Sequence, residues 1–290
     1  KKLIMNTFDI NNLVRENVKQ MKPYSSARDE FEDFDTAQMI FLDANENPFE
    51  NGVNRYPDPQ QQSVKSILGQ NKGLQKKQIL LGNGSDEVLD LLFRGFCEPK
   101  TDNIITLPPT YGMYSVLANL NDVTNKEVLL TNEFQPNVEA ILEAVDANTK
   151  IIFLCSPNNP TGNSFSDESV VYLLNNFNGL VVIDEAYIDF STKASWVNEL
   201  DAYPNLVITQ TLSKAYGLAG IRLGICYASE AIIGVLNKIK PPYNVNELTQ
   251  QRAIERLQQP AKIDLEIASI IAQRELLLKV LLKVNFVEVV

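Results

Sequence analysis

Four short segments of this 290-residue chain place polar or charged side chains directly after an apolar run. In LVVIDEAYIDF, Asp184 closes a strongly apolar stretch, so its carboxylate is expected to be partly buried and in need of a cationic partner. A protonated heterocyclic nitrogen suits that carboxylate better than a capping role, and Tyr187, three residues on, brings a phenol to the same place. In TLSKAYGLAGIRLG, Lys214 follows the run LVITQ and precedes Arg222 by eight residues. A lone lysine is ordinarily a solvated surface residue. Beside Ser213, a glycine-permitted turn and an arginine, it fits a Schiff-base lysine, whose amine is exposed as the neutral form by burial and nearby cations.

The other two segments are built to hold ligands through backbone and amides. In LLGNGSDE, two glycines follow an apolar run and Ser85, Asp86 and Glu87 open a helix, whose unpaired N–H groups form an anion site. A glycine turn with Ser85 as N-cap accounts for the same letters. Neither the dinucleotide pattern GxGxxG nor the P-loop GK[ST] is satisfied. In CSPNNPTGN, two prolines and a glycine stiffen a loop that presents Asn158 and Asn159, either as tolerant turn residues or as placed amides.

Composition narrows the chemistry. There is no histidine, so a zinc site and a Ser-His or Cys-His relay are not expected, and proton transfer must fall to Lys, Tyr or a carboxylate. A net charge of −10 disfavours nucleic acid and anionic membranes as partners. Cys97, Cys155 and Cys226 are far apart, and the last two lie in apolar runs, which fits buried thiols. The first residues, KKLIMNTFDI, hold too short an apolar stretch for a signal segment, and no run approaches a membrane span; a cytoplasmic location is expected.

The elements that must position these residues alternate. Asp9 is expected to cap a helix through Ile10, Leu13, Val14 and Val18 that stops at Pro23, followed by a strand from Met39 to Leu42. Strand-like runs then recur: QILL (78–81), NIITL (103–107), EVLL (127–130), KIIFLC (150–155), LVVID (180–184), LVITQ (206–210) and LGICYA (223–228). Helical spacing separates most of them, and the chain becomes helical after residue 229, with a long helix from about Ile263 to Val284 and a final strand-like NFVEVV. The fold class expected is α/β: a mostly parallel seven-stranded sheet with helices on both faces, ligands binding outside the carboxyl ends of the strands.

The motifs DANENP, RYPDP, GNGSDE, PPTYGMY, SPNNPTG, VIDEAYIDF and LSKAYGLAGIRLG, in this order, resemble those of the histidinol-phosphate aminotransferases, a branch of the aspartate-aminotransferase-like pyridoxal-phosphate enzymes of fold type I. The resemblance runs from about residue 21 to the end, and implies a role for each matching position. Lys214 would carry pyridoxal 5'-phosphate as a Schiff base and move the Cα proton, Asp184 would pair with the ring nitrogen, and Asn159 and Tyr187 would donate to the ring's 3-oxygen. Tyr111 would lie against the ring face, while Ser85, Asp86 and Glu87, with Thr211, Ser213 and Arg222, would cradle the phosphate. Tyr56 would reach the cofactor phosphate of the other subunit of a homodimer, and Tyr24 and Asn159 would meet the substrate. The implied reaction is amino transfer from L-histidinol phosphate to 2-oxoglutarate in histidine biosynthesis, with no metal. An aromatic aminotransferase or a threonine-phosphate decarboxylase shares the same cofactor motifs, and a pyridoxal-phosphate-binding protein without turnover is the reading from another class. The resemblance also implies a division into an N-terminal helix and arm (1–50), a large cofactor domain (51–235), and connecting helices with the start of a small domain (236–290). Members of the family run on past the equivalent of Val290, so the cofactor site is expected to be complete in this sequence and the substrate site not.

Overall fold

A computed structural model describes residues 8–23, 42 and 44–286. The first α-helices among the described residues are the short α1 (Glu16–Gln20) and α2 (Gln62–Lys72). The alternating part follows: β1 (Ile79–Asn83), α3 (Ser85–Phe96), β2 (Asn103–Thr106), α4 (Met113–Leu120), β3 (Thr124–Glu127), α5 (Val138–Ala144), β4 (Thr149–Cys155), α6 (Asp167–Asn176) and β5 (Leu180–Asp184). β6 (Leu206–Thr211) and β7 (Leu223–Ala228) complete the strands, and α7 (Glu230–Ile239), α8 (Glu247–Leu257) and α9 (Pro260–Leu281) end the described chain.

The seven strands form one sheet in the order β1-β7-β6-β5-β4-β2-β3. Only β7 runs against its neighbours, β1 and β6. Parallel neighbours need a long crossover, whereas β6 and β7 are joined by the short loop 212–222, which compels the antiparallel direction. Both ends of that loop therefore lie at the carboxyl edge of β6. This loop carries Lys214 and Arg222.

Side chains of successive strand residues point to opposite faces, and here both faces are apolar. In β5, Val181 and Ile183 join one core while Leu180 and Val182 join the other; β4 divides Ile152 and Leu154 from Ile151 and Phe153 in the same way. The first core is covered by α2, α5, α6 and α8, through Val64, Ile141, Leu173 and Ala253 among others. The second is covered by α1, α3, α4 and α7, through Val18, Leu92, Tyr114 and Leu236. By this alternation Asp184 faces the α3–α4 side.

Some expectations need correction. EVLL is not a strand: the edge strand is the polar TNKE, of which only Glu127 was anticipated, while Leu129 is exposed. Among the described residues β3 pairs on one side alone, where polar residues protect an edge and apolar content is a poor guide. Asp9 does cap, its carboxylate accepting from the Asn11 amide, but the turn is a 3-10 turn of Ile10–Asn12 and α1 begins separately at Glu16. Two asparagines favour a break there, and the Arg15 amide bonds the Gly95 carbonyl instead (3.0 Å). The expected strand Met39–Leu42 lies outside the described residues except for Leu42, which is exposed and in no strand. NFVEVV lies mostly outside them too, and its described Asn285 and Phe286 form no strand. The long helix is present as α9, which buries only Ile263 and carries Leu265, Ile270, Leu276 and Leu277 exposed. All three cysteines are buried and unpaired. Among the described residues no helix is long and apolar enough to cross a membrane.

Candidate active site

A cavity of about 90 Å³ opens at the carboxyl edge of the sheet on the α3–α4 side. Its lining brings together Ser85, Asp86, Tyr111, Asn159, Asp184, Tyr187, Thr211, Ser213, Lys214 and Arg222, with Cys155 and Ala186. Ten of the expected residues, drawn from six separate stretches of sequence, thus meet in one place.

One end is built from α3 and the loop before β7. Gly84, not Ser85, is the N-cap of α3, with φ 79°, and Ser85 is the first helical residue. The glycine is needed because its φ suits no L side chain, and because a Cβ there would lie 2.6 Å from the Arg222 guanidinium. Arg222 itself has a left-handed backbone (φ 56°), and its carbonyl accepts from the Gly84 amide at 2.9 Å. A non-glycine residue held in that region is a strain that surrounding structure must maintain. The guanidinium stands 3.5 Å from Asp86, whose other oxygen accepts from Tyr111 Oη at 3.2 Å. Both charged side chains are substantially exposed, so the pair contributes little and exchanges readily for an incoming anion. Thr211 Oγ1 accepts from the Ser213 amide (3.1 Å) and lies 3.0 Å from Ser213 Oγ. Burial first, then the Asp86 carboxylate, pushes the Tyr111 phenol well above its ordinary range.

The other end is Asp184. It is only 3 % exposed, and burial raises its pKa against the lowering effects of the Tyr114 hydroxyl and the Ala186 amide. Tyr114 Oη donates to Oδ2 at 2.8 Å, and the Ala186 amide donates to Oδ1 at 3.2 Å. The expected cationic partner is not supplied by the described residues of the chain: no ion pair reaches Asp184 among them. Lys214 lines the same cavity, its Nζ 5.4 Å from the centroid of the Tyr187 ring. Its turn is closed by the Gly217 amide on the Lys214 carbonyl and the Leu218 amide on Leu212. Lys214 is exposed in the cavity mouth, so the burial expected of it is not provided by the chain itself.

Of the two asparagines, Asn158 is the pin. It is buried, donates to the Pro109 carbonyl (2.9 Å) and Thr161 Oγ1 (2.7 Å), and accepts from Thr110 Oγ1 (3.0 Å). That network ties loop 156–163 to loop 108–110 and leaves Asn159 on the cavity wall. A wider cavity of about 600 Å³ adjoins through Asn159 and Tyr187 and is bounded by Ile270, Ile271 and Arg274 of α9.

Two of the expected residues that are described, Glu87 and Tyr56, are not brought to this cavity. Glu87 turns back on its own helix, its carboxylate accepting from the Asn83 amide (2.5 Å) and from Asn244 Nδ2 (2.8 Å). Tyr56 stands apart, half exposed and stacked on Tyr243 with ring centroids 4.6 Å apart. It lines a separate cavity of about 470 Å³ with Glu46, Asn246 and Leu248, and Glu46 joins DANENP to RYPDP by bonding Arg55 (2.9 Å) and the Tyr56 amide (2.5 Å). Tyr24 lies outside the described residues. Sequence reasoning missed Tyr114, although a buried carboxylate at a strand end demands a donor and the second tyrosine of YGMY offers one. It also missed Glu185, a buried carboxylate that accepts from Ser195 Oγ (2.6 Å), the Trp196 amide (2.7 Å) and Gln210 Nε2 (2.8 Å). Burial raises its pKa, and those three donors oppose the rise.

A mostly parallel sheet of this order, with a lysine, a buried carboxylate and a helix N-terminus converging at its carboxyl edge, defines an aminotransferase-type α/β protein. The sequence matches the family model "Aminotransferase class I and II" over residues 33–288. It is 81% identical over 284 residues to a histidinol-phosphate aminotransferase of Flavobacterium johnsoniae, covering 98% of this chain and 81% of that one. Identity to the Flavobacterium psychrophilum enzyme of the same name is 63%, covering 98% and 82%. The solved structure of the histidinol-phosphate aminotransferase from Clostridium acetobutylicum shares the fold, with a TM-score of 0.73 at 24% identity over 81% of this chain and 71% of that one. The chain belongs to the class I and II aminotransferases and, within them, to the histidinol-phosphate aminotransferase family.

Proposed function

We propose that the chain transfers the amino group of L-histidinol phosphate to 2-oxoglutarate, with pyridoxal 5'-phosphate as its cofactor. One observation carries the proposal: Lys214, the buried Asp184 and the Arg222–Ser85 end line a single cavity, which supplies an amine, a carboxylate and an anion site for a phosphorylated pyridine aldehyde. The residues fit that group. Asp184 is a buried carboxylate with neutral donors and no cation, as a partner for a protonated ring nitrogen should be. At the other end, the helix N-terminus, two hydroxyls and an arginine converge where glycine has cleared the space, which suits a phosphate.

Bound there, pyridoxal phosphate supplies an electron sink for the pair left when the substrate's Cα loses its proton. Lys214 holds the cofactor covalently and afterwards removes and returns the proton at Cα. No histidine exists to compete for that task, and the Tyr187 ring beneath the amine fixes its position. Asp184 would keep a proton on the ring nitrogen, Tyr187 and Asn159 would donate to the 3-oxygen, and Tyr111 would lie against the ring face. Ser85, Asp86, Thr211, Ser213 and Arg222 bind the phosphate, while Glu87 acts at one remove by bracing the turn before α3. Asn159 also borders the wider cavity, and Asn159 and Tyr24 would contact the substrate.

The active protein is a homodimer in which Tyr56 completes the site of the other subunit. Support comes from its position away from its own cavity, in a segment held by Glu46. The division proposed is a cofactor domain over 51–235, an N-terminal helix and arm over 1–50, and connecting helices with the start of a small domain over 236–290; Leu13, Val14 and Val18 nonetheless pack on the sheet's second core, and Ala253 and Leu257 on its first. A cytoplasmic location fits three buried, unpaired cysteines.

Borohydride treatment of the protein loaded with cofactor should fix the label on the single peptide containing Lys214, and Lys214→Ala should abolish both labelling and turnover. Single-turnover conversion with histidinol phosphate, an aromatic amino acid and threonine phosphate in parallel identifies the substrate class. Labelling of another lysine, or preference for either of the other two substrates, overturns the proposal.

A further inference from the structure

Tyr114 is wholly buried in the first turn of α4, where its ring stacks on Phe153 (centroids 4.8 Å, 12°) and meets the edge of Tyr111 (5.6 Å, 86°). A phenylalanine would fill the same stack. A hydroxyl buried at this depth costs free energy unless it is bonded, and the bond it makes is to Asp184 Oδ2, at 2.8 Å. Burial, ahead of the neighbouring Asp184 charge, pushes the phenol well above its ordinary range, so it remains a neutral donor at any working pH.

We propose that Tyr114 is a positioning residue for Asp184: through its hydroxyl it holds that carboxylate anionic and in one orientation, and so sets how strongly the cavity binds a protonated heterocyclic nitrogen. The inference rests on the reading of Asp184 as the partner of that nitrogen. Asp184 has two donors in the chain, and the other, the Ala186 amide, is backbone that no side-chain change removes. Among the described side chains Tyr114 makes the one hydrogen bond to the carboxylate; the neighbouring Thr209 hydroxyl also favours its charged form but makes no hydrogen bond.

The test uses the full chain freed of cofactor, titrated with pyridoxal phosphate and with its carbocyclic analogue, in which C–H replaces the ring nitrogen. Loss of one hydrogen bond to a charged group predicts that Tyr114→Phe weakens pyridoxal phosphate about ten- to hundredfold. The analogue, which offers no cation to Asp184, should change by less than about twofold. In an Asp184→Asn background the same substitution should also matter less than about twofold. The 15N resonance of the bound ring nitrogen should move toward its unprotonated position. Replacing Tyr114 by 3-fluorotyrosine keeps the shape and strengthens the donor, so it should shift that resonance the opposite way, whether or not the Phe variant folds. Equal weakening of both ligands, an undiminished loss without Asp184, or an unmoved resonance on fluorination would overturn the inference. Failure of the unaltered protein to bind pyridoxal phosphate at Lys214 would instead overturn the proposed function.

Discussion

Gly224 in β7 passes so close to the start of α3 that an alanine methyl there would stand 2.3 Å from Gly84 C, 2.3 Å from Ser85 N and 2.4 Å from Gly84 O. Carbon contacts are comfortable at about 3.5–4.0 Å, so strand and turn would have to part by about 1 Å or more. All three neighbours are backbone, and Gly84 is also tied to the Arg222 carbonyl, so no side chain can rotate out of the way. Overpacking of a well-filled site costs about 1–3 kcal/mol, and rigid surroundings put this case near the upper end. The effect on binding is separate: parting the turn from β7 misplaces a contact to an anion, and losing one charge-assisted contact weakens binding about ten- to hundredfold. Gly224→Ala should therefore lower unfolding stability by about 2–3 kcal/mol and weaken pyridoxal phosphate about ten- to hundredfold. Gly220→Ala is the control, since a methyl there meets nothing within 4 Å; it should stay within about 0.5 kcal/mol. Denaturant unfolding of the cofactor-free chains and fluorescence titration with the cofactor measure the two effects. If Gly224→Ala bound cofactor as tightly as Gly220→Ala, the close approach of β7 would not be what shapes the phosphate end.

Asp184→Asn should stabilise the cofactor-free chain by on the order of 1–3 kcal/mol at neutral pH, because it removes a buried charge that only neutral donors meet. Burial raises this carboxyl's pKa, so stability from its protonation is present at low pH and lost as pH rises through the raised value. The advantage of the Asn variant should accordingly vanish in acid, and melting curves across pH that show it less stable at neutrality would contradict the assignment. With cofactor present the same variant should turn over about a thousandfold more slowly, checked by steady-state rates. Mixing a Lys214→Ala chain with a Tyr56→Phe chain places both defects in one site of each heterodimer and leaves the other intact. Activity above that of either parent homodimer is expected; none, with heterodimers demonstrated, would put Tyr56 in its own subunit's site.

Most of the sheet was legible because five of its seven strands are paired on both sides and faced on both, so their sequences are nearly continuous apolar runs. β3 escaped for the converse reason: an edge strand exposed at Thr124 and Glu127 carries no such run. The cavity residues were legible because they fall where apolar runs end, and the sheet gathers those ends at one edge. What the letters did not carry was direction. Glu87 sits beside Ser85 and Asp86, yet at the third position of α3 its carboxylate reaches back to Asn83 rather than forward. Tyr114 hid as one apolar residue among others on an amphipathic helix, since its chemistry comes from a strand 70 residues away.

The order of the strands has a consequence for how the protein is made. Among the described residues β1 pairs with β7 alone, so the turn at Gly84 that opens α3 gains its described sheet neighbour only when residues 223–228 are available, about 140 residues later in the chain. During synthesis the first part of the proposed phosphate site is thus made long before the strand that pairs with it leaves the ribosome. Contacts of such long sequence separation form late, because loop closure must be achieved before they return any free energy. A nascent chain stalled before β7 should therefore hold β2, β4, β5 and β6 in register, yet be unable to retain pyridoxal phosphate. The cofactor would then act on folding only at the last zipping of β7 between β6 and β1, pulling that step forward by mass action.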